Sequence, residues 1–222
     1  MSAAERLPPP PNPAAPVWYP PVPPRYARVL SINHVTEAEY FRLDAATTEG
    51  RLEYYDGEIV AMAGASLIHN FIVSNTVGEL RNRLKGGNCR AVSSDQRVAI
   101  PARRGYVYPD VVAACGKWEC QPGTNPAALL NPVVIFEVLS ESTAFNDQHR
   151  KFVWYQTLPS LRHYALVSTD EVSVLLYSRE PGARLWTVAL YEDLAEALPL
   201  TALEVELPLA EVYNAVMFGE GE

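Results

Sequence analysis

Glu137 is a carboxylate inside an otherwise apolar run, and its position has a direct chemical consequence. The run covers residues 133–140, with the sequence VVIFEVLS. Its short length and its β-branched and aromatic residues predict a strand buried on both faces of a sheet. Burying an unpaired ionised carboxylate is strongly unfavourable. We therefore expect Glu137 to be paired with a cation, neutralised, or bound to a metal ion.

A second carboxylate, Asp110, begins another predicted strand in the segment YPDVV, residues 108–112. Neighbouring strands lie about 4.8 Å apart, so Asp110 and Glu137 can converge on one cation if their strands pair. Carboxylate oxygens suit Mg²⁺ or Mn²⁺, which keep several waters and leave room for a phosphate. In the alternative, Asp110 caps a turn and Glu137 meets a core arginine or lysine. Spacing alone favours that alternative.

Lys151 follows the Glu137 strand on a predicted helix, four residues after Asp147. An Asp–Lys pair at this spacing shares one helix face and is typical of a surface salt bridge. The same lysine could instead reach back over the sheet, where an ammonium would orient a water or stabilise developing negative charge. Both possibilities remain open from the spacing.

The surrounding pattern predicts an α/β fold of the α+β type, a mixed sheet with helices packed on it. A capping box at Thr36 predicts a helix to about Ala46, and Asp56-Gly57 predicts a hairpin within residues 51–62. The remaining expected elements are a helix from Ser66 to Gly86-Gly87, strands 89–100 and 106–114, a loop at 116–131, the Glu137 strand, a helix at 144–157, strands 161–167, 172–177 and 185–191, and a helix at 210–217.

These residues together resemble the Uma2 family (DUF820) of restriction endonucleases, in the PD-(D/E)xK nuclease superfamily. The resemblance rests on Pro109-Asp110, on the segment FEVLS at 136–140, and on Asp147, Lys151 and Tyr155. It extends over roughly residues 35–215 and implies a restriction-endonuclease-like core preceded by an N-terminal hairpin.

The resemblance also implies roles for individual residues. Asp110 and Glu137 would be metal ligands for Mg²⁺ or Mn²⁺. The superfamily lysine should stand two residues after the glutamate, where this chain has Leu139, so Lys151 on the following helix is the candidate catalytic lysine.

Three further residues are weaker candidates near the site. Glu58 and His69 match recurrent positions of the family, although His69 could equally be a core histidine. Asp95 is a possible third carboxylate, but a turn or surface role is favoured. Arginines could supply phosphate contacts, although solvated surface positions are the simpler interpretation; these are Arg97, Arg103 and Arg104.

Composition sets limits on organisation and compartment. Residues 8–24 hold ten of the 19 prolines, which predicts a disordered tail at 1–30 before a single domain at 31–222. The net charge of −8 disfavours broad, unspecific nucleic-acid binding but permits a local basic groove. The odd count of three cysteines predicts reduced thiols in a cytoplasmic protein without a membrane span.

Two functions remain in competition at this point. The first is a metal-dependent endonuclease that hydrolyses nucleic acid, with DNA favoured as substrate and a homodimer as the expected assembly. The second is a catalytically inactive nuclease fold that serves as a binding or assembly module, motivated by Leu139 at the lysine position and by the acidic charge.

Overall fold

Two β-sheets lie face to face between helical layers in the computed structural model, which describes residues 34–48, 50–62, 64–139 and 150–218. The helices and strands have these bounds: α1 Glu37–Ala46, β1 Leu52–Tyr55, β2 Glu58–Ala61, α2 Leu67–Arg83, β3 Cys89–Ser93, β4 Val98–Ile100, β5 Gly105–Val107, β6 Val111–Cys115, β7 Val134–Leu139, α3 Phe152–Tyr155, β8 His163–Ser168, β9 Val174–Ser178, β10 Thr187–Tyr191, β11 Ala197–Leu200, β12 Val205–Pro208 and α4 Leu209–Val212.

The central sheet has six strands in the order β10-β9-β8-β7-β6-β3. Strands β7 and β8 pair in parallel, and every other neighbouring pair in this sheet is antiparallel. The parallel pair requires a crossover connection, and the segment from β7 to β8 that contains α3 provides it. The predicted mixed sheet is confirmed, with the Glu137 strand at its centre.

A smaller antiparallel sheet, in the order β2-β1-β5-β4, packs on one face of the central sheet. Its hairpin β1–β2 turns at Asp56 and Gly57, whose φ angles are 47° and 102°. Both angles are positive, and Asp-Gly adopts such a turn readily because glycine has no Cβ atom. This confirms the predicted N-terminal hairpin.

The predicted strands at 89–100 and 106–114 were wrong as continuous elements. Each is divided between the two sheets: β3 and β6 belong to the central sheet, whereas β4 and β5 belong to the smaller one. A turn, in which the amide of Gln96 donates to the carbonyl of Ser93, separates β3 from β4. Pro109, which has no amide donor, lies between β5 and β6. The chain therefore crosses from one sheet to the other immediately before Asp110.

The two long helices begin where the sequence predicts. The Thr36 hydroxyl accepts from the amide of Glu39 at 3.2 Å, and the Ser66 hydroxyl accepts from the amide of His69 at 3.1 Å. A π-helical turn at residues 150–151 runs directly into α3, which agrees with the described part of the helix predicted at 144–157, whereas residues 144–149 of that prediction lie outside the described ranges. Helix α4 is shorter than the predicted 210–217, and the hairpin of β11 and β12 before it was not anticipated.

Three apolar clusters hold the layers together. The first joins α2, α4 and the β11–β12 hairpin to one face of the central sheet. The second lies between the two sheets, with Tyr55 and Val107 facing Ile135 and Tyr164. The third places the Tyr40 ring of α1 against the outer face of the smaller sheet. The candidate site lies at the second cluster, between the sheets.

The cysteine prediction was wrong for two of the three residues. Cys89 and Cys115 are directly opposite each other on β3 and β6 and form a disulfide, whereas Cys120 is free and exposed. This strand register is a tertiary property that a separation of 26 residues along the chain does not reveal. The cysteine count therefore no longer supports the expected cytoplasmic location.

In the described ranges, no helix has the length and apolar character needed to cross a bilayer.

His163 gives the fold a measurable pH dependence. Its ring is buried, with Nδ1 2.9 Å from the Ser178 hydroxyl and Nε2 accepting from the Ala202 amide at 3.3 Å. Burial, and to a smaller extent Arg162, lowers the pKa of His163 from 6.5 to about 4. Between these values the unfolded chain binds the proton and the folded chain does not. As the pH is lowered from 6.5 to about 4, the free energy of unfolding should therefore fall by roughly 1.4 kcal/mol per pH unit, about 3 kcal/mol in all.

Urea unfolding at about pH 7 and about pH 5 measures roughly 2 kcal/mol of this effect. The variant His163→Gln retains a polar side chain without the titration, so it should show a clearly smaller loss of stability at the lower pH. Equal losses in both proteins would contradict the assignment to His163.

Candidate active site

Asp110 and Glu137 face each other across two neighbouring strands. Val111 of β6 is paired with Phe136 of β7, so the antiparallel register places Asp110 opposite Glu137 on the same face of the sheet. Asp110 Oδ2 accepts from the Val138 amide at 2.7 Å, which fixes the carboxylate against β7. Asp110 is 7% exposed and Glu137 is 2% exposed. Directly opposed side chains have Cβ atoms about 5 Å apart. The two carboxylates are therefore as close as the sequence analysis expected for paired strands.

Glu137 is also paired with a cation. The Lys151 ammonium lies 3.2 Å from each carboxylate oxygen of Glu137, and the Tyr155 hydroxyl donates to Oε1 at 2.8 Å. Burial, and then the charge of Glu137, raises the pKa of the Tyr155 phenol well above its usual value, so Tyr155 keeps its proton and acts as a donor. A buried ion pair therefore coexists with the opposed carboxylates.

Glu53 of β1 is a third buried carboxylate, and sequence reasoning missed it. Its Oε1 lies 3.1 Å from the Lys151 ammonium and accepts from the Tyr108 amide at 3.0 Å, while Oε2 accepts from the Tyr55 hydroxyl at 2.8 Å. Lys151 thus bridges two carboxylates from different sheets. The signal that could have identified Glu53 is the one that identified Glu137: an acid inside the apolar strand sequence LEYY.

Among the described residues, this cluster holds more acidic than basic side chains. Three buried carboxylates, those of Asp110, Glu137 and Glu53, lie around the ammonium of Lys151 and the imidazole of His69. Removing several like charges from water is costly unless positive charge compensates them. A divalent cation next to Asp110 and Glu137 would supply that compensation.

The donor set of Asp110 and Glu137 fits a hard divalent cation. Mg²⁺ commonly takes only one or two protein carboxylates and keeps water in its other positions. Over the described ranges, no group of three or more His, Cys, Asp or Glu side chains is arranged to hold a metal ion. Any ion at this position would therefore depend on the two strand carboxylates, with water or substrate oxygens as its other ligands.

His69 contacts Asp110 directly, whereas Glu58 is connected to the cluster through Arg150 and Tyr55. His69 Nε2 is 3.2 Å from Asp110 Oδ1. Glu58 Oε2 accepts from Arg150 at 2.6 Å, and the Arg150 guanidinium carbon lies 3.9 Å from the centre of the Tyr55 ring. The structure therefore places His69 next to Asp110 and Glu58 at the edge of the cluster.

Asp95 is placed elsewhere. It lies in the turn between β3 and β4, its side chain is 85% exposed, and it pairs with Arg51 at 2.9 Å. The turn or surface role that the sequence favoured is therefore the one observed.

Leu139 stands two residues after Glu137, where the resemblance would place a lysine. Leu139 packs against the apolar cluster between the sheets. Lys151 lies in the π-helical turn that runs into α3 and is only 4% exposed, so it is not part of a surface salt bridge. Its expected partner Asp147 lies outside the described residues.

Arg97 is neither a phosphate contact nor a surface residue. It is fully buried, it pairs with Asp44, and its Nε donates to the Tyr108 hydroxyl at 2.9 Å. Tyr40 and Phe41 flank its guanidinium at 5.4 and 5.1 Å. Arg97 is therefore a core cation that ties α1 to the smaller sheet.

The two other arginines of the predicted group are exposed, as expected for solvated residues. Arg104 pairs with Asp56 at 3.0 Å, and Arg103 lies in the short turn before it.

Comparisons with known proteins agree with this fold and with the sequence resemblance. The model of the Uma2 family, described as "Putative restriction endonuclease", matches residues 37–210. Two uncharacterised proteins of Synechocystis sp. are similar to the chain. The protein slr1290 is 29% identical over 180 residues, which is 81% of this chain and 92% of the relative. The protein sll1609 is 34% identical over 158 residues, which is 71% of this chain and 88% of the relative.

A solved structure gives the same result for the fold. A crystal structure from Anabaena variabilis, described as "a putative nuclease belonging to DUF820", superposes with a TM-score of 0.60 at 19% identity. The match covers 82% of this chain and 99% of the other. The predicted restriction-endonuclease-like fold class is therefore confirmed.

Proposed function

The chain belongs to the Uma2 family, and from that premise we propose that it is an endonuclease that hydrolyses phosphodiester bonds of DNA with Mg²⁺ or Mn²⁺ as cofactor. The observation that carries the proposal is the opposition of Asp110 and Glu137 on β6 and β7, with Lys151 3.2 Å from Glu137. Two carboxylates can hold a divalent cation, and an ammonium can stabilise the negative charge that develops in phosphodiester hydrolysis. We propose DNA as the substrate because the description of the family is "Putative restriction endonuclease".

Each side chain has a defined part in this proposal. Asp110 and Glu137 would hold the cation, which when bound would polarise the phosphate and lower the pKa of a water. The Val138 amide and His69 orient Asp110, and the Tyr155 hydroxyl orients Glu137. Lys151 places positive charge where negative charge develops on the phosphate.

Cleavage of supercoiled plasmid DNA tests the proposal directly. We expect nicked and linear products with Mg²⁺ or Mn²⁺, no products with EDTA, and no products from Asp110→Asn. Asp193→Asn is the matched control, since Asp193 lies in an exposed turn between β10 and β11. RNA and single-stranded DNA of the same sequence, assayed in parallel, define the substrate class. Products that persist in EDTA and in Asp110→Asn would contradict the proposal.

A binding or assembly module without turnover is the second candidate, because Leu139 replaces the superfamily lysine and Lys151 is held between two carboxylates. Titration with Mn²⁺ by calorimetry, combined with a DNA-binding assay, separates the two. Binding of DNA or metal with no product formation under any condition would favour the module. Metal binding that Asp110→Asn abolishes, together with DNA cleavage, would favour the enzyme.

A further inference from the structure

Strand β10 is an unprotected edge of the central sheet. It pairs with β9 on one side, and within the described ranges no strand pairs with its other side. Four of its five residues are exposed, and two of these are large and apolar: Val188 at 54% and Leu190 at 52% exposure. Leu185, just before the strand, is 84% exposed. An edge with free backbone groups and apolar side chains is a template for pairing with another strand.

This edge lacks the usual protections against such pairing. Proteins place charged residues, proline or a bulge within an edge strand that must stay solvated. The opposite edge strand, β3, carries the exposed Arg90 within its ladder. Strand β10 has the sequence TVALY, with no charge and no proline, and its register with β9 is regular. The nearest charges are Arg184 before the strand and Glu192 after it.

We propose that β10 pairs antiparallel with β10 of a second copy of this chain, about a twofold axis at Val188. This register sets Val188 against Val188 of the second copy and Trp186 against its Leu190. Beyond the two ends of the strand, the bend that contains Arg184 would lie near Glu192 of the second copy. The flanking charges are therefore complementary under the same symmetry that joins the apolar residues, as an isologous interface demands.

The apolar side chains extend an existing core. Val188 is paired with Tyr177 and Leu190 with Leu175, so these side chains share the face of the central sheet that carries the cluster between the sheets. Trp186 belongs to the same cluster, 5.7 Å from the Phe152 ring. A second copy would continue this face without a break. It would also convert two six-stranded sheets into one sheet of twelve strands, with the edge removed.

Oligomeric state and charge reversal test the proposal independently of any nuclease activity. Sedimentation equilibrium of the full chain should show a dimer. The single variants Arg184→Glu and Glu192→Arg each place like charges opposite one another, and each should raise the dimer Kd about tenfold or more. The double variant carrying both changes restores opposite charges and should return the Kd close to that of the unmodified chain.

Two further variants complete the test. Val188→Lys sets two ammonium groups side by side on the axis and should give a monomer with an unchanged circular dichroism spectrum. Arg103→Glu, which reverses an exposed arginine in the turn between β4 and β5, should leave the dimer intact. A monomeric unmodified chain over a wide concentration range would overturn the proposal. A double variant that dissociates as readily as the single ones would also overturn it.

Discussion

Glu137→Gln should reduce DNA cleavage on the order of 10³-fold, because it removes one of the two negative charges that would hold the cation. The amide keeps the shape of the side chain, and its oxygen can still accept from the Tyr155 hydroxyl, which lies 2.8 Å from Oε1. Lys151 keeps Glu53 as a counter-ion at 3.1 Å. The fold should therefore survive the change. Initial rates of plasmid nicking, at saturating Mg²⁺ and again at saturating Mn²⁺, give the measurement.

The matched control is Glu206→Gln, the same change at an exposed strand position on β12. It should cleave at the rate of the unmodified protein. Near-normal cleavage by Glu137→Gln, with unfolding curves that match those of the control, would show that Glu137 has no role in catalysis. Loss of cleavage together with loss of the folded state would assign the effect to stability instead.

Lys151→Met should lower the free energy of unfolding by about 3–5 kcal/mol, because it leaves two buried carboxylates without the ammonium between them. Glu53 and Glu137 are only 3% and 2% exposed, and both lie within 3.2 Å of the lysine nitrogen. Methionine retains the apolar stem of lysine, so the loss reflects charge more than packing. Urea unfolding near neutral pH measures the change.

A second substitution identifies the cause of that loss. Adding Glu53→Gln to Lys151→Met removes one of the uncompensated charges, and the double variant should be more stable than Lys151→Met alone. The difference reports the coupling between Glu53 and Lys151 as a double-mutant cycle. Lys85→Met is the matched control, since Lys85 is exposed after α2 and its loss should change stability by less than about 0.5 kcal/mol. If Glu53→Gln destabilises further, the ion-pair account of this cluster is wrong.

The central part of the candidate site followed from the sequence because it depends on local composition. An acid in an apolar strand and a Pro-Asp at a strand start are both visible within a few residues. The pairing of β6 with β7 then brings the two together. Lys151 lies only 14 residues after Glu137, in the connection that returns the chain to β8. The cap of each long helix was predictable for the same reason, since the capping side chain lies three residues from its partner.

The residues that sequence reasoning misassigned depend on contacts between distant segments. Arg97 looked like a surface arginine because nothing near it in the chain shows that Asp44, 53 residues away, is its partner. The disulfide between Cys89 and Cys115 depends on the register of β3 with β6. The division of residues 89–114 between two sheets was hidden for a related reason: both halves have strand-like composition, and composition does not say which neighbour a strand will join.

The crossing of the chain between the two sheets has a consequence for how the site is assembled. Contacts within the central sheet and its crossover, such as the pair of Glu137 with Lys151, close short loops. The contact between the Lys151 ammonium and Glu53 instead joins the crossover to β1, so it requires the smaller sheet to be docked on the central one. Loop-closure entropy and contact order place such contacts late in folding. We therefore expect the Lys151 ammonium to pair with Glu137 earlier in folding than with Glu53.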